Sequence, residues 1–262
     1  MGKRYAFVTG GSAGIGFEIA KLLAEDNHDL LVSGSSDRVN SAADELRALG
    51  ADVDAVKSDL ATDEGTDAVW KALSASGRAI DVAVFNAGIA TGGTFKDLPL
   101  EDHLRLVAIN IVSPLRLAHR VVSHMVGNGR GRILLVSSMS ARTPTPFEGV
   151  YGPSKAFLTS FGYGLREELR GTGVTVTILH PGSTATEFHA RAGMGDTAFG
   201  DNSLKNDPVL VARQGYDAMM QGESSVVGGD EKTQQDWVEM RSMSEEDKAR
   251  RHAGMAGPKD RV

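Results

Sequence analysis

A tyrosine and a lysine one helical turn apart form a pair of side chains that could transfer a proton. Tyr151 and Lys155 lie near the start of GVYGPSKAFLTSFGYGLREELRG, residues 149–171, whose pattern predicts a helix. A free phenol has a pKa of about 10, and a nearby ammonium group lowers it towards the general acid–base range. Because Tyr-x-x-x-Lys also arises by chance, two unrelated surface residues are the alternative, and the rest of the chain must decide.

A glycine-rich segment near the N-terminus has the composition of a turn that binds phosphate. VTGGSAGIG, residues 8–16, follows an apolar run and precedes a helical pattern, and its Gly10, Gly14 and Gly16 permit a tight turn. The helix that follows begins with unpaired N–H groups and the positive end of its dipole, which favour a pyrophosphate. The spacing departs from G-x-G-x-x-G, so a purely structural turn is the alternative.

Short apolar runs alternate with longer amphipathic segments along the chain. The runs that predict strands are residues 5–10, 29–34, 52–58, 80–86, 132–138, 174–180 and, least apolar, 224–229. The segments that predict helices include residues 16–26, 38–50, 101–122, 149–171 and 207–222. Continuous Val, Ile and Leu runs mark strands that are buried on both faces. The sequence therefore predicts an α/β fold, a doubly wound, mostly parallel, seven-stranded sheet in a single domain.

Composition and charge exclude several classes of protein. The chain has 262 residues, a net charge of −6 and no cysteine, which argues against a nucleic-acid surface, disulfides and thiolate chemistry. The N-terminus enters an apolar strand almost at once, and no apolar run approaches a transmembrane length. No His-Glu-x-x-His occurs. We expect a cytoplasmic protein with no metal, nucleic-acid or membrane partner.

Five motifs in chain order carry a resemblance to a known family. They are Thr9-Gly10-x-x-x-Gly14-Ile15-Gly16, Asn86-Ala87-Gly88, Asn110, Ser138 with Tyr151-x-x-x-Lys155, and HPGSTATEF at residues 180–188. Together they resemble the short-chain dehydrogenase/reductase family in its compact one-domain form, over about residues 3–228. The resemblance implies a Rossmann-like fold and an NAD(P)-dependent oxidoreductase that interconverts a ketone and a secondary alcohol by hydride transfer.

The resemblance also implies roles for four residues. Tyr151 would be the general acid/base, with Lys155 stabilising its phenolate and reaching a cofactor ribose. Ser138 would donate a hydrogen bond to the carbonyl oxygen and hold it for reaction. Asn110 would hold a water and Lys155 in a proton relay, and its alternative is a buried polar residue that ties a helix to a strand.

A larger set of residues is implied to bind the cofactor, at the carboxyl ends of parallel strands. The set is Gly10, Ser12, Ile15, Gly16, Ser33, Ser35, Ser36, Arg38, Asp59, Leu60, Asn86, Ala87, Gly88, Tyr151, Lys155, Pro181, Gly182, Thr184 and Thr186. Asp59 would face the adenine, and its alternative is a helix N-cap or an exposed turn acid.

The residues after the second strand favour NADP over NAD. In VSGSSDRVN, residues 32–40, neither Ser33 nor Gly34 is the acidic residue that binds ribose hydroxyls in NAD enzymes. The serines, their N–H groups and Arg38 could hold a 2′-phosphate, which Asp37 would oppose only if it turned inward. NADP is the favoured cofactor and NAD the alternative. Asp37 and Arg38 could also simply begin the next helix.

Two regions break the alternation of strands and helices. Residues 187–206 are Gly-rich and predict a mobile flap over the substrate, within a cofactor-binding domain at 1–229. Residues 230–262 are polar and predict a tail with short helices, either a solvated appendage or a segment docked on a neighbouring subunit. Arg142 and Arg191 are candidates to pair with an anionic substrate.

The favoured function is an NADP-preferring oxidoreductase acting on a small carbonyl or alcohol, of the carbonyl reductase or alcohol dehydrogenase type. The alternative is a non-catalytic NAD(P)-binding sensor or scaffold with the same fold. A homodimer or homotetramer built on residues 101–126 and 152–170 is expected from the resemblance and from the apolar helix faces there.

Overall fold

The computed structural model describes residues 3–257 and contains a single seven-stranded sheet whose described strands are all parallel. The strands are β1 (Arg4–Thr9), β2 (His28–Gly34), β3 (Val53–Lys57), β4 (Val82–Phe85), β5 (Gly131–Val136), β6 (Val174–Pro181) and β7 (Ser225–Gly228). Their order across the sheet is β3-β2-β1-β4-β5-β6-β7. The predicted fold class is confirmed, and the sheet is parallel throughout.

Helices cover both faces of the sheet. They are α1 (Gly14–Glu25), α2 (Arg38–Ala48), α3 (Asp63–Ala75), α4 (Leu100–Val107), α5 (Ser113–Gly127), α6 (Tyr151–Glu168), α7 (Phe188–Arg191), α8 (Pro208–Gln221), α9 (Glu231–Glu239) and α10 (Glu245–Ala256). One face is packed by α1, α2 and α8, and the other by α3, α5 and α6. In β1, Ala6 and Val8 enter the first layer while Tyr5 and Phe7 enter the second, because successive side chains alternate across a strand.

The strand order creates a crevice at one edge of the sheet. β1 lies between β2 and β4, so the connections after β1 and after β4 leave the sheet towards opposite faces. Ligands of open α/β sheets bind at this kind of switch point, outside the carboxyl ends of the strands. The motifs after β1, β2, β4, β5 and β6 are thereby directed to one rim.

The helix predicted at residues 101–122 is interrupted. A π-helical turn, Ala108–Val112, separates α4 from α5 and contains the buried Asn110. By length and composition alone the stretch Leu100–Gly127 could cross a membrane, with a mean hydropathy of 1.2 in its most apolar window. Leu117 and Val121 are fully buried against the sheet, so the stretch is a core helix of this fold.

The C-terminal segment packs on its own chain. The ring of Trp237 in α9 lies 4.6 Å from that of His180, at the end of β6. His252 in α10 lies 5.4 Å from Phe199 of the flap, between ring centroids. Over the described residues the tail thus packs on its own chain rather than lying free in solvent, and docking on a neighbouring subunit stays a prediction. Residues 258–262 of the predicted tail lie outside the described residues.

Candidate active site

The first glycine turn is shaped by close backbone contacts. Gly10 and Gly14 adopt left-handed conformations, with φ of +64° and +56°, which favour glycine. A Cβ on Gly10 would lie 2.8 Å from Nδ2 of Asn86, and a Cβ on Gly14 would lie 2.9 Å from Cγ2 of Thr186. The backbone of the turn therefore lies directly against the loops after β4 and β6.

Asn86 fixes the turn to β4. Its side-chain amide donates to the carbonyl oxygens of Thr9 and Gly10, at 3.1 Å each. The hydroxyl of Thr9 accepts hydrogen bonds from the N–H groups of Asn86 and Ala87, at 3.0 and 3.1 Å. A Cβ on Gly16 would overlap the Asn86 amide. Asn86 and Gly16 thus position the turn, and the amide of Asn86 is already occupied by it.

The start of α1 fits a pyrophosphate. Its N-cap, Ala13, has no side chain that could accept from the N–H groups of the first turn, and that turn holds no acidic residue. Ser12, Gly14 and Ile15 line a cavity of about 750 Å³ beside it. Unpaired N–H groups and the positive end of the helix dipole favour an anion there. The donors and the glycine-lined space suit the phosphates of a dinucleotide.

Ser138, Tyr151 and Lys155 meet on the wall of the same cavity. Ser138 follows β5, and its Oγ accepts from the N–H of Ser140 at 3.0 Å. Tyr151 is the first residue of α6, and Lys155 lies one turn later in that helix. Nζ of Lys155 is 5.8 Å from the centroid of the Tyr151 ring and donates to the carbonyl oxygen of Val136 at 2.9 Å.

Burial dominates the electrostatics of this pair. It raises the pKa of Tyr151 well above its ordinary value, and the nearby charge of Glu148 raises it further, while a hydrogen bond from Ser138 lowers it. Burial also lowers the pKa of Lys155 to about 8. In the protein without cofactor, the expectation that Lys155 lowers the pKa of Tyr151 is therefore wrong. Desolvation of the phenolate raises that pKa, and the Lys155 ammonium is bound to the carbonyl oxygen of Val136.

Asn110 lies behind the cavity wall. Its side chain accepts from the N–H of Ile89 at 2.9 Å and donates to the carbonyl oxygen of Ile89 at 2.9 Å and to Oγ of Ser154 at 3.0 Å. The π-helical turn is thus tied to the loop after β4 and to α6. The Asn110 side chain therefore joins these elements, as its alternative interpretation predicted. Its part in a proton relay stays a prediction.

Most of the predicted cofactor residues line the cavity. Those on its wall are Gly10, Ser12, Ile15, Ser35, Asp59, Leu60, Asn86, Ala87, Gly88, Tyr151, Lys155, Pro181, Gly182, Thr184 and Thr186. Gly88 lies so close that a Cβ on it would be 3.1 Å from Nζ of Lys155. Gly16, Ser33, Ser36 and Arg38 are not on the wall.

The residues after β2 divide between the core and the surface. Ser33 is fully buried within β2, and its Oγ has no hydrogen-bond partner. The prediction that Ser33 contacts the cofactor is therefore wrong, because the side chain does not reach the cavity. Alternation along the strand turns that side chain into the core. Arg38 pairs instead with Glu187 of the flap at 2.6 Å, and Asp37 pairs with Lys57 at 2.9 Å and faces solvent.

Asp59 is held at the rim by two groups. It accepts from the N–H of Ala61 at 3.0 Å and pairs with the guanidinium of Arg105 at 2.9 Å. Burial would raise the pKa of Asp59, but these two partners outweigh burial and hold it below its ordinary value. The N-cap of α3 is Thr62, so Asp59 is not the cap. Sequence reasoning missed Arg105, because its place in the rim depends on how α4 packs.

The far end of the cavity is closed by the flap and by α10. Phe188, His189 and Phe199 come from the flap, and His252 comes from α10. Arg191 reaches the wall but pairs with Glu187 at 2.5 Å, and Arg142 lies outside it, 4.1 Å over the ring of Trp237. Arg191 is thus paired with a carboxylate and Arg142 does not line the cavity, so their pairing with an anionic substrate stays a prediction.

Two residues that sequence reasoning did not single out also line this end. Glu148 is 2% exposed and lies three residues before Tyr151 in the chain. His252 had no sequence signal, since only the packing of α10 brings it to the cavity. Burial lowers the pKa of the neighbouring His189 to about 4, with the charges of Lys205 and His252 adding to it.

Comparisons with known proteins agree with this arrangement. A family model described as short chain dehydrogenase matches residues 4–195. A serine 3-dehydrogenase of Rhizobium radiobacter and an NADP-dependent 3-hydroxy acid dehydrogenase of Salmonella typhi are each 32% identical over 207 residues, which are 78% of this chain and 82% of theirs.

A solved structure is similar over nearly the whole chain. It is a short-chain dehydrogenase from Sphingobium yanoikuyae in complex with NADPH, 27% identical with a TM-score of 0.80, and the match covers 92% of this chain and 96% of that one. Because the family model spans most of the residues that build the sheet and its cavity, the chain belongs to the short-chain dehydrogenase/reductase family of oxidoreductases.

Proposed function

We propose that this protein is an NADP-preferring oxidoreductase that interconverts a ketone and a secondary alcohol, with Tyr151 as its general acid/base. The observation that supports it best is the convergence of Ser138, Tyr151 and Lys155 on the cavity that also holds the glycine turn. When bound, the nicotinamide would supply or accept the hydride. The relatives named above, a serine and a 3-hydroxy acid dehydrogenase, act on hydroxylated small molecules by their names.

Ser138 and Tyr151 would act on the substrate's carbonyl oxygen, and Lys155 would act on the hydroxyl of Tyr151. Ser138 donates to the carbonyl oxygen and holds it beside Tyr151. Tyr151 gives its hydroxyl proton to that oxygen as negative charge develops there. Its raised pKa keeps the phenol protonated at neutral pH, which suits reduction. Lys155, with a pKa of about 8, carries most of its positive charge at pH 7 and favours the phenolate that forms.

Three features support NADP as the preferred cofactor. Ser35 lines the cavity after β2, and Asp37 is turned towards Lys57 and solvent, so the carboxylate of Asp37 does not oppose a phosphate there. Arg38 is near enough to the rim to reach the flap residue Glu187. A 2′-phosphate could replace Glu187 as the partner of Arg38, and its higher charge favours the exchange.

The test removes one hydroxyl and leaves the pocket in place. Tyr151→Phe is expected to lower kcat for ketone reduction by about a hundredfold or more, because a general acid contributes about 10²–10⁴. NADPH affinity, followed by nucleotide fluorescence, is expected to change little. The control is Tyr163→Phe on the same helix, whose exposed hydroxyl bonds to Ser225. A Tyr151→Phe enzyme with near wild-type turnover would rule out the acid role.

A second candidate is a cofactor-binding sensor without turnover. It is favoured by one observation, that Nζ of Lys155 is bound to the carbonyl oxygen of Val136 while burial raises the pKa of Tyr151. Incubation with NADPH and a panel of ketones decides between the two. Binding of NADPH without loss of its absorbance on any ketone supports the sensor, and consumption supports the enzyme.

A further inference from the structure

Three buried polar atoms at the flap end of the cavity have no hydrogen-bond partner. They are Oε2 of Glu148, Nε2 of His252 and Nδ1 of His189. All three residues line the cavity that holds Tyr151. A buried polar atom without a partner costs about 1–3 kcal/mol, and native proteins contain few of them. Three such atoms at one end of a cavity mark a place where a ligand can complete their hydrogen bonds.

Glu148 and His252 face each other across this end. Oε2 of Glu148 lies 3.5 Å from Nε2 of His252, without the alignment of a hydrogen bond. The two residues are 2% and 4% exposed, so bulk water does not serve them. The ring of Phe199 contacts both histidines, with centroids 5.0 Å from His189 and 5.4 Å from His252. The two imidazole rings are therefore packed against the same phenyl ring.

Of three cations near this end, two are held in ion pairs, and the third donates to a side-chain amide. Arg251 binds Asp236 and Glu239 at 2.8 and 3.2 Å. Lys248 binds Glu245 at 2.7 Å. Lys205 donates to Oδ1 of Asn202 at 2.7 Å and lies near the charge of Asp201. A substrate carboxylate at this end would be repelled by Glu148, and two of these three cations already have carboxylate partners.

A hydroxyl group fits the unpaired atoms better than other groups. It donates one hydrogen bond and accepts another, so it can donate to Glu148 and accept from the N–H of an imidazole. With the proton of His252 on Nε2, an ammonium, which donates only, would leave that N–H unpaired, while a carboxylate accepts only and is repelled by Glu148. We propose that Glu148 and His252 bind a hydroxyl group of the substrate, so that the reaction proposed above acts on hydroxyketones and the corresponding diols.

The proposal rests on the proposed function and is tested with pairs of ketones of equal size. Hydroxyacetone is compared with 2-butanone, and 4-hydroxy-2-butanone is compared with 2-pentanone and acetoacetate. Two sets are used because the structure does not fix how many carbons separate the substrate's carbonyl from its hydroxyl. For at least one pair, kcat/KM with NADPH is expected to favour the hydroxyketone about tenfold or more. Equal values in both pairs, or preference for acetoacetate, would overturn the proposal.

Variants assign the preference to the two residues. Glu148→Met and His252→Phe are expected to reduce the hydroxyketone preference about tenfold, mainly because kcat/KM for the hydroxyketone falls. Glu148→Gln keeps a hydrogen-bond acceptor and is expected to keep part of the preference. The matched controls are Glu246→Met and His119→Phe, at exposed positions away from the cavity. If both cavity variants keep the full preference, the assignment is wrong. Thermal unfolding verifies that each variant folds, and His252→Phe carries the test if Glu148→Met does not.

Calorimetry separates this proposal from the proposed function. 1,2-Propanediol and 2-butanol are titrated into the protein loaded with NADPH, which cannot accept a hydride from either alcohol, so binding is measured without turnover. Tighter binding of the diol, lost in Glu148→Met, supports the hydroxyl site even if no ketone is reduced. Reduction of plain ketones without any preference for the diol keeps the proposed function and overturns the hydroxyl site.

Discussion

Lys155 carries a buried charge that weakens the fold. The side chain is 3% exposed and its pKa is about 8, against 10.5 for the free group, because burial disfavours the ammonium. Below pH 8 both the folded and unfolded states hold the proton, and the folded state bears the full cost. Between pH 8 and 10.5 only the unfolded state holds it, so the cost declines as pH rises.

Removing that charge is therefore expected to stabilise the protein in a pH-dependent way. Lys155→Met should raise the free energy of unfolding at pH 7 by up to roughly 3 kcal/mol, and by less than about 1 kcal/mol at pH 10. Urea unfolding at the two pH values measures both. The exposed Lys71→Met is the control and should change stability by less than about 0.5 kcal/mol. A gain in the free energy of unfolding that does not depend on pH, or a loss at pH 7, would show that the buried charge of Lys155 does not weaken the fold.

Arg38 is the residue on which cofactor preference should depend. Arg38→Ala is expected to weaken NADPH binding about tenfold and to leave NADH binding within about twofold, because only NADPH carries the 2′-phosphate that Arg38 would bind. Fluorescence titration of both nucleotides measures the ratio. Arg170→Ala, at an exposed arginine at the C-terminal end of α6, should change neither. Equal weakening of both nucleotides would assign Arg38 a structural role.

At the scale of elements, the start of α1 depends on how closely it approaches β4. Asn86 joins the two through the carbonyl oxygens of Thr9 and Gly10. Gly16 leaves the space that the Asn86 amide occupies. The glycine spacing therefore reflects the packing of a turn against an amide side chain as well as the space needed for phosphates.

Two glycine substitutions in helices should have opposite effects. Gly16→Ala is expected to lower stability by about 1–3 kcal/mol and to weaken NADPH binding, because its Cβ overlaps Asn86. Gly164→Ala, in α6, meets no atom within 4 Å and should raise stability by about 0.5–1 kcal/mol. Chemical unfolding and nucleotide titration of both variants measure this. A stable Gly16→Ala protein with normal affinity would show that the turn can relax.

At the scale of the whole molecule, an apolar surface on α4 and α5 is left uncovered. Leu100, Leu104 and Leu115 are among the large exposed apolar side chains, with Leu104 57% exposed. Exposed apolar patches of this kind mark contacts between proteins. Part of this surface lies within residues 101–126, which together with 152–170 form the predicted interface of a homodimer or homotetramer, and that assembly stays a prediction.

A charge in this surface should separate the subunits. We expect wild-type protein to elute as a dimer or tetramer in size-exclusion chromatography with light scattering, and Leu104→Asp to shift it towards monomer. Leu49→Asp is the control, since Leu49 is 44% exposed at the far end of α2. A monomeric wild-type protein, or an unchanged mass for Leu104→Asp, would place the interface elsewhere or remove it.

Much of the fold was predictable because its sequence signals involve residues that are close together in the chain. This holds for the order of strands and helices, for the parallel sheet and for the motifs at its carboxyl edge. Continuous apolar runs, glycines at turns and the spacing of Tyr151 and Lys155 lie among neighbours in the chain. Parallel strands then bring their carboxyl ends to one rim whatever the details of packing. The family motifs added the cofactor class and a proposed reaction.

Only the tertiary structure decided the electrostatics and the substrate end of the cavity. Burial reverses the expected direction of the Tyr151 pKa, and Lys155 turns to the carbonyl oxygen of Val136. Arg38 meets Glu187 of the flap, and Glu148 meets His252 from the last helix. Desolvation and pairing depend on groups far apart in the chain, and no local pattern of residues encodes which of them will meet.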